Sequence, residues 1–215
     1  MRDEDQPSGD PENSGPAPWS EKDWATYLRR QDLETARFLA FYHEAKGLPD
    51  RLDVVARRMG WEPSEWSPTA EASETEPDME IPADLPYCIH QHPVFVAARS
   101  LTMEASTAYR TALRDGAGLK VPPLLAAETL LALWDLHHQV VMAVNATDTG
   151  DLALAIVHLR RALGAINTGI GLLAQVPLEV RLGAAGPIED AQSALFDLRD
   201  ICLRVQSDCR WGTEG

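Results

Sequence analysis

A short polar turn between two long apolar segments constrains this sequence more than any other feature. Residues 121–146 carry two apolar stripes with alternating three- and four-residue spacing, and residues 151–174 carry another. Such spacing places side chains on one side of an α-helix. Because only Thr147–Gly150 separates the two segments, we expect two long helices that lie antiparallel.

The segment before the turn is apolar on more than one side. One stripe comprises Leu124, Ala127, Leu131, Trp134, His138, Val141 and Asn145, and the other comprises Leu130, Leu133, His137, Val140 and Val144. A helix that is apolar on most of its circumference is usually buried. We therefore expect this helix to lie in the middle of a bundle, with both stripes covered.

Two further helices complete the predicted bundle. Pro93 suits the first turn of a helix that ends at Gly116, and Pro187 suits the start of a last helix after a loop over Gly183–Gly186. The last helix keeps the three–four alternation along its length, and no segment shows the period-two alternation of a strand. The sequence predicts an all-α fold, with an up-and-down four-helix bundle over residues 87–210.

The chain before the bundle divides into three predicted segments. Residues 1–18 are rich in Pro, Gly, Ser and acidic residues, which predicts a disordered tail. Residues 19–61 predict a helical hairpin, which starts with a capping pattern at Ser20 and ends at Gly60. Residues 62–86 contain eight acidic residues and no basic ones, which predicts an extended, Pro-rich linker.

Charge and cysteine usage exclude several classes of protein. A formal charge of −14 disfavours binding to nucleic-acid phosphates and to anionic membrane surfaces. The three cysteines have neither zinc-site spacing nor a disulfide pattern, and the first residues do not form a targeting signal. Charged residues interrupt the central apolar segments, so no membrane span is predicted. We expect a cytoplasmic protein.

One candidate site lies across the central turn. Aligning the two helices about the turn brings His138 level with His158, and Asp135-x-x-His138 places two metal ligands on one helix face. This spacing resembles half of the carboxylate-x-x-His arrangement in ferritin-like dinuclear metal proteins. The resemblance implies a transition metal ion at Asp135, His138 and His158, with Glu104 or Glu128 as a further carboxylate. In the alternative interpretation, the histidines are hydrogen-bonded members of a packed core.

A second group of ligand types precedes the bundle. Cys88, His90 and His92 share one side of an extended segment, and all three bind borderline metals. Zinc sites usually take ligands from two separated segments, and no second pair lies nearby in the sequence. We therefore interpret His92 as the cap of the helix that begins at Pro93.

Enzyme signatures are absent from the sequence. There is no glycine-rich phosphate loop, no Gly-x-Ser-x-Gly and no His-Glu-x-x-His. We expect a non-catalytic, cofactor-free helical bundle that binds another protein or associates with itself. Its partner surface is predicted at the aromatic face formed by Trp24, Tyr27, Phe38 and Phe41, because large exposed apolar patches mark such sites. The alternative function is that of a metal-binding bundle with oxidative or hydrolytic activity.

Overall fold

The computed structural model describes residues 19–61, 88–114 and 121–214. Within these ranges every regular element is helical, so the predicted all-α fold is confirmed. The tail predicted over residues 1–18 and the linker predicted over residues 62–86 lie outside the described residues.

Seven α-helices and a short 3₁₀ helix at Ile89–Gln91 occupy the described ranges. The α-helices, in chain order, are α1 (Glu21–Glu44), α2 (Arg51–Met59), α3 (Pro93–Ala112), α4 (Pro123–Asp148), α5 (Leu152–Ala174), α6 (Leu178–Gly183) and α7 (Ala185–Glu214). The prediction of a loop over Gly183–Gly186 is wrong, because α6 ends at Gly183 and α7 begins at Ala185, with only Ala184 between them. Pro187 is accommodated in the first turn of α7, where a helix needs no internal N–H donor.

Four helices form the bundle. Helix α4 packs against α5, α5 against α7, α7 against α3, and α3 against α4, which closes a ring around one core. The largest fully buried aliphatic side chains come from all four helices and include Leu101, Leu136, Leu159, Ile166, Leu195 and Leu198. The predicted antiparallel hairpin is α4 and α5, and Gly150 turns the chain with a left-handed φ of +77°.

The predicted position of α4 in the middle of the bundle is wrong. Leu133, Val140 and Val144 from one stripe are buried, but Leu124 and Trp134 from the other are exposed. Each helix of a four-helix ring contacts two neighbours and turns its remaining side outward. The covered fraction of α4 is therefore set by the number of its neighbours and not by its own apolar content.

The N-terminal helices dock on the bundle. Helix α1 packs against α3, and α2 packs against α1. On α7, the buried Asp197 carboxylate accepts a hydrogen bond from Tyr42 Oη at 2.5 Å and pairs with Arg51 Nε at 2.5 Å. A second ion pair joins Lys46 Nζ to Asp190 Oδ1 at 2.6 Å. These contacts fix α1 and α2 against α7.

Candidate functional site

The solvent side of α4 carries a continuous apolar stripe, which we call the outer face. It consists of Leu124, Ala127, Leu131, Trp134 and His138. The exposed fractions of Leu124, Leu131 and Trp134 are 70%, 64% and 67%. The His138 ring stacks on the Trp134 ring, with 5.7 Å between centroids and an interplanar angle of 3°. The outer face is therefore an exposed, largely apolar surface that covers several helical turns.

A groove between α4 and α5 runs beside the outer face. It has a volume of about 500 Å³, and its lining includes Leu131, Thr168 and Leu172. The carboxylates of Glu128 and Asp135 stand on its α4 wall, and both residues are exposed. The outer face thus has an acidic border on the side that faces α5.

The predicted metal ligands Asp135 and His158 are joined through an amide. Gln139 Oε1 lies 2.9 Å from His158 Nδ1, and Gln139 Nε2 donates to Asp135 Oδ1 at 3.3 Å. Burial lowers the pKa of His158, and the positive charge of Arg161 lowers it further. A neutral imidazole with its proton on Nδ1 completes this chain of hydrogen bonds, which links α4 to α5.

The other predicted ligands lie elsewhere. His138 belongs to the outer face, Glu128 lies on the groove wall, and Glu104 binds His43 Nε2 of α1 at 3.0 Å. In the part of the chain that the structure describes, no three His, Cys, Asp or Glu side chains are arranged to hold a metal ion. The ferritin-like site stays a prediction, and these contacts add no support to it.

Of the three possible ligands around the 3₁₀ helix (Cys88, His90 and His92), His92 caps α3. Cys88 Sγ lies 3.1 Å from His90 Nδ1, whereas His92 Nδ1 accepts a hydrogen bond from the Val94 N–H at 3.2 Å. The predicted capping role of His92 is confirmed. Its Nδ1 must be unprotonated to accept this bond.

The cap at His92 predicts a pH-dependent stability. Burial lowers the pKa of His92, and the Asp148 carboxylate offsets part of that effect. The stabilisation is complete above the unfolded pKa of about 6.5 and is lost as the pH falls below it, because the unfolded state then binds more protons. His92→Asn keeps a hydrogen-bond acceptor at this position but does not titrate. Between about pH 7.5 and pH 5, the free energy of unfolding measured with urea is therefore expected to vary less with pH in His92→Asn than in the wild type. An unchanged pH dependence of the unfolding free energy in His92→Asn would contradict this assignment.

The predicted aromatic partner surface is not one exposed face. Phe38 and Tyr27 are buried, and Trp24 is partly exposed. Phe41 is half-buried, and the Arg58 guanidinium carbon lies 4.0 Å from its ring centroid. The buried members of this group pack α1 against the rest of the molecule, so only Trp24 offers a large open aromatic surface.

A cavity lined by polar residues lies beside the contacts of the N-terminal helices with α7. It has a volume of about 330 Å³ and is lined by residues that include Tyr42, Lys46, Arg51 and Glu104. Its lysine and arginine pair with Asp190 and Asp197, and Glu104 pairs with a histidine. Since these charged groups already have partners within the molecule, we interpret the cavity as part of the contact between the N-terminal helices and the bundle.

Comparison with protein-family models, curated proteins and solved structures finds no match to this chain. Functional inference therefore depends on the geometry of its own residues. No helix in the described ranges is long and apolar enough to cross a membrane.

Sequence reasoning found the residues of the outer face but assigned them to the core. Two polar residues, His138 and Asn145, occur in that stripe, whereas the buried stripe contains only His137 among its polar types. The stripe with two polar residues is the one that faces solvent, so its additional polar residue was the signal in the sequence that could have identified it.

Proposed function

We propose that this protein binds another protein through the outer face of α4. The partner contributes an amphipathic helix that carries basic residues beside its apolar side. The observation that carries this proposal is the alignment of Leu124, Leu131 and Trp134, each more than 60% exposed, on one side of one helix. A monomeric protein rarely exposes such a contiguous apolar surface unless it binds something there.

The spacing of the outer face suits a helical partner. Leu124, Leu131 and His138 repeat every seven residues, as do Ala127 and Trp134. This is the pattern by which two helices interdigitate side chains along a shared seam. From Leu124 to His138 the seam is about 21 Å long at roughly 1.5 Å per residue, which matches about four turns of a docked helix.

Charge favours a basic partner over a second copy of the chain. Glu128 and Asp135 border the outer face, and the whole chain carries a formal charge of −14. Two copies would bring like charges together, whereas a basic helix is attracted and oriented by the acidic border. The proposal involves no cofactor and no catalysis. It places the protein in the cytoplasm, where its three unpaired cysteines stay reduced.

A designed peptide tests the proposal directly. The peptide is a fluorescently labelled helix with leucines at the seam positions and lysines beside them, and its counterpart carries glutamates in place of the lysines. We expect the lysine peptide to bind the wild type, and we expect the double substitution Leu131→Gln and Trp134→Gln to weaken binding at least tenfold. The matched control changes Leu178 and Leu182, two exposed leucines of α6, to glutamine and is expected to change the affinity less than twofold. Fluorescence anisotropy measures the affinities, and circular dichroism checks that each variant remains folded.

The outcomes of these measurements distinguish a basic partner helix from a second copy of the chain as the molecule that covers the outer face. Absence of binding at about 100 µM protein, or equal binding of both peptides, contradicts the proposed partner. Sedimentation velocity without peptide tests the second copy. A dimer that Leu131→Gln and Trp134→Gln abolish would show that the outer face is occupied by another copy of this chain, which overturns the proposal of a basic partner.

A further inference from the structure

A polar cleft beside α3 and α4 differs in charge from the rest of the molecule. It has a volume of about 330 Å³, and the residues that define its chemistry are Arg99, Thr102, Ser106, Thr107, Arg110 and His137. We propose that this cleft, which we call the α3 cleft, binds a small anion that carries a phosphate group, either inorganic phosphate or a phosphate monoester. This activity is independent of protein binding by the outer face.

Residues spaced three and four apart along α3 form one wall of the cleft. Arg99, Thr102, Ser106 and Arg110 follow one another at intervals of three, four and four residues, so they share one side of the helix. The two arginines are about 16 Å apart along the axis at roughly 1.5 Å per residue, and the hydroxyl groups lie between them. A phosphate group accepts hydrogen bonds from guanidinium and hydroxyl donors alike, and Arg matches its geometry with two parallel N–H bonds.

The electrostatic balance of the cleft is positive. The chain contains 33 acidic and 19 basic residues, yet no acidic residue lines this cleft within the described ranges. At one end, Arg99 Nη2 pairs with Asp32 Oδ1 of α1 at 2.6 Å. Arg110, by contrast, forms no ion pair with any residue that the structure describes. Among the described residues its charge is uncompensated, and it draws an anion toward Ser106 and Thr107.

Two buried atoms at the cleft lack a hydrogen-bond partner. Within the described part of the chain, Thr102 Oγ1 and His137 Nδ1 are buried and unpaired. Leaving such a polar group unsatisfied is unfavourable, and a ligand that supplies a partner recovers part of the lost free energy. A threonine O–H and an imidazole N–H both donate to phosphate oxygens. Thr102 belongs to the arginine–hydroxyl stripe of α3, and His137 extends that stripe onto α4.

The size of the cleft limits the ligand. A volume of about 330 Å³ lies at the lower end of the range of roughly 300–1,000 Å³ for small-molecule sites. It suits phosphate itself or the phosphorylated end of a small metabolite. Free phosphate and a monoester share the recognised group, so the experiment must distinguish them.

Isothermal titration calorimetry with inorganic phosphate and with glucose 6-phosphate tests the site. Both are titrated at constant ionic strength in a phosphate-free buffer. Arg110→Gln is expected to weaken binding at least tenfold, because it removes the uncompensated cation. Arg160→Gln, which removes the same charge from an exposed position on α5, is expected to change the affinity less than twofold. Amide chemical shifts should move at Thr102, Ser106 and His137 in the wild type.

A second variant distinguishes a loss of phosphate binding from a loss of folding. Thr102→Val removes a buried hydroxyl that has no partner, so the fold should be unharmed while phosphate binding weakens. Tighter binding of glucose 6-phosphate identifies a monoester as the ligand, and tighter binding of inorganic phosphate identifies the free ion. A dissociation constant above about 10 mM for both ligands overturns the proposal. Equal affinities of Arg110→Gln and Arg160→Gln overturn it as well.

Discussion

Replacing Asp197 with alanine is expected to lower the free energy of unfolding by about 3–5 kcal/mol, the range for removing one partner of a buried ion pair. The Asp197 carboxylate receives Tyr42 Oη and Arg51 Nε, each at 2.5 Å, at the contact of α1 and α2 with α7. Burial raises the pKa of Tyr42 and the bond to Asp197 raises it further, so the phenol remains a donor. Without the carboxylate, the buried Tyr42 hydroxyl loses its acceptor, and the partly buried Arg51 guanidinium is left with its bond to the Ser193 carbonyl at 3.3 Å. Urea unfolding monitored by circular dichroism measures the effect.

The neighbouring pair provides a matched control. Asp190 also lies on α7 and also binds a cation from the N-terminal segment, since Lys46 Nζ is 2.6 Å away, but the lysine side chain is 65% exposed. Ion pairs in water contribute only about 0–1 kcal/mol, so Asp190→Ala should have a small effect. Equal losses in the two variants would show that burial of Asp197 does not set the strength of this contact.

Phe38→Ala is the second substitution with a large expected effect, about 3–5 kcal/mol of unfolding free energy. The Phe38 side chain is completely buried, and its ring stacks with Tyr42 and with Trp61 at centroid distances of 6.2 and 5.9 Å. Truncation removes the apolar area and leaves a cavity that the flanking aromatic rings cannot fill. Chemical unfolding measures the loss, and hydrogen exchange over residues 19–61 shows whether α1 and α2 undock before the bundle unfolds.

The control for Phe38 lies on the same helix. Leu33 is an exposed residue of α1, and Leu33→Ala should change stability by no more than about 0.5 kcal/mol. A loss below about 1 kcal/mol for Phe38→Ala would contradict the tight packing at this position. It would also reopen the prediction that Phe38 contacts a partner protein.

Local interactions explain why the helices were predictable. Ser20 and Asp23 form their capping box within four residues, and Gly60 ends α2 with a φ of +84°. His92 caps α3 through an N–H two residues ahead. Such features depend on neighbours in the chain, so the amino-acid order contains the necessary information.

The candidate site was only partly predictable, because two residues meet only if they lie at the same level along their helices and each helix is also rotated so that both side chains face each other. Matching the two central helices about their turn predicted that His138 lies level with His158. The side chain that reaches His158 is nevertheless Gln139, and His138 points outward to stack on Trp134. Successive residues on a helix differ by about 100° in direction, and small changes in packing decide which one faces the neighbouring helix.

By itself, the sequence of this protein determined most of the helices, the helix ends at Ser20, Gly60 and His92, the antiparallel hairpin and the all-α class, since each follows from spacing or from contacts a few residues apart. Only the tertiary structure decided which apolar stripe of α4 is buried, because the two stripes share a periodicity, differ by only one polar residue, and are sorted by which helices become neighbours. It alone joined Tyr42 to Asp197 across 155 residues. It alone placed α3 beside α4, which brings Arg110 and His137 to one cleft. Contacts between distant segments depend on the packing of the whole chain, and no local pattern encodes them.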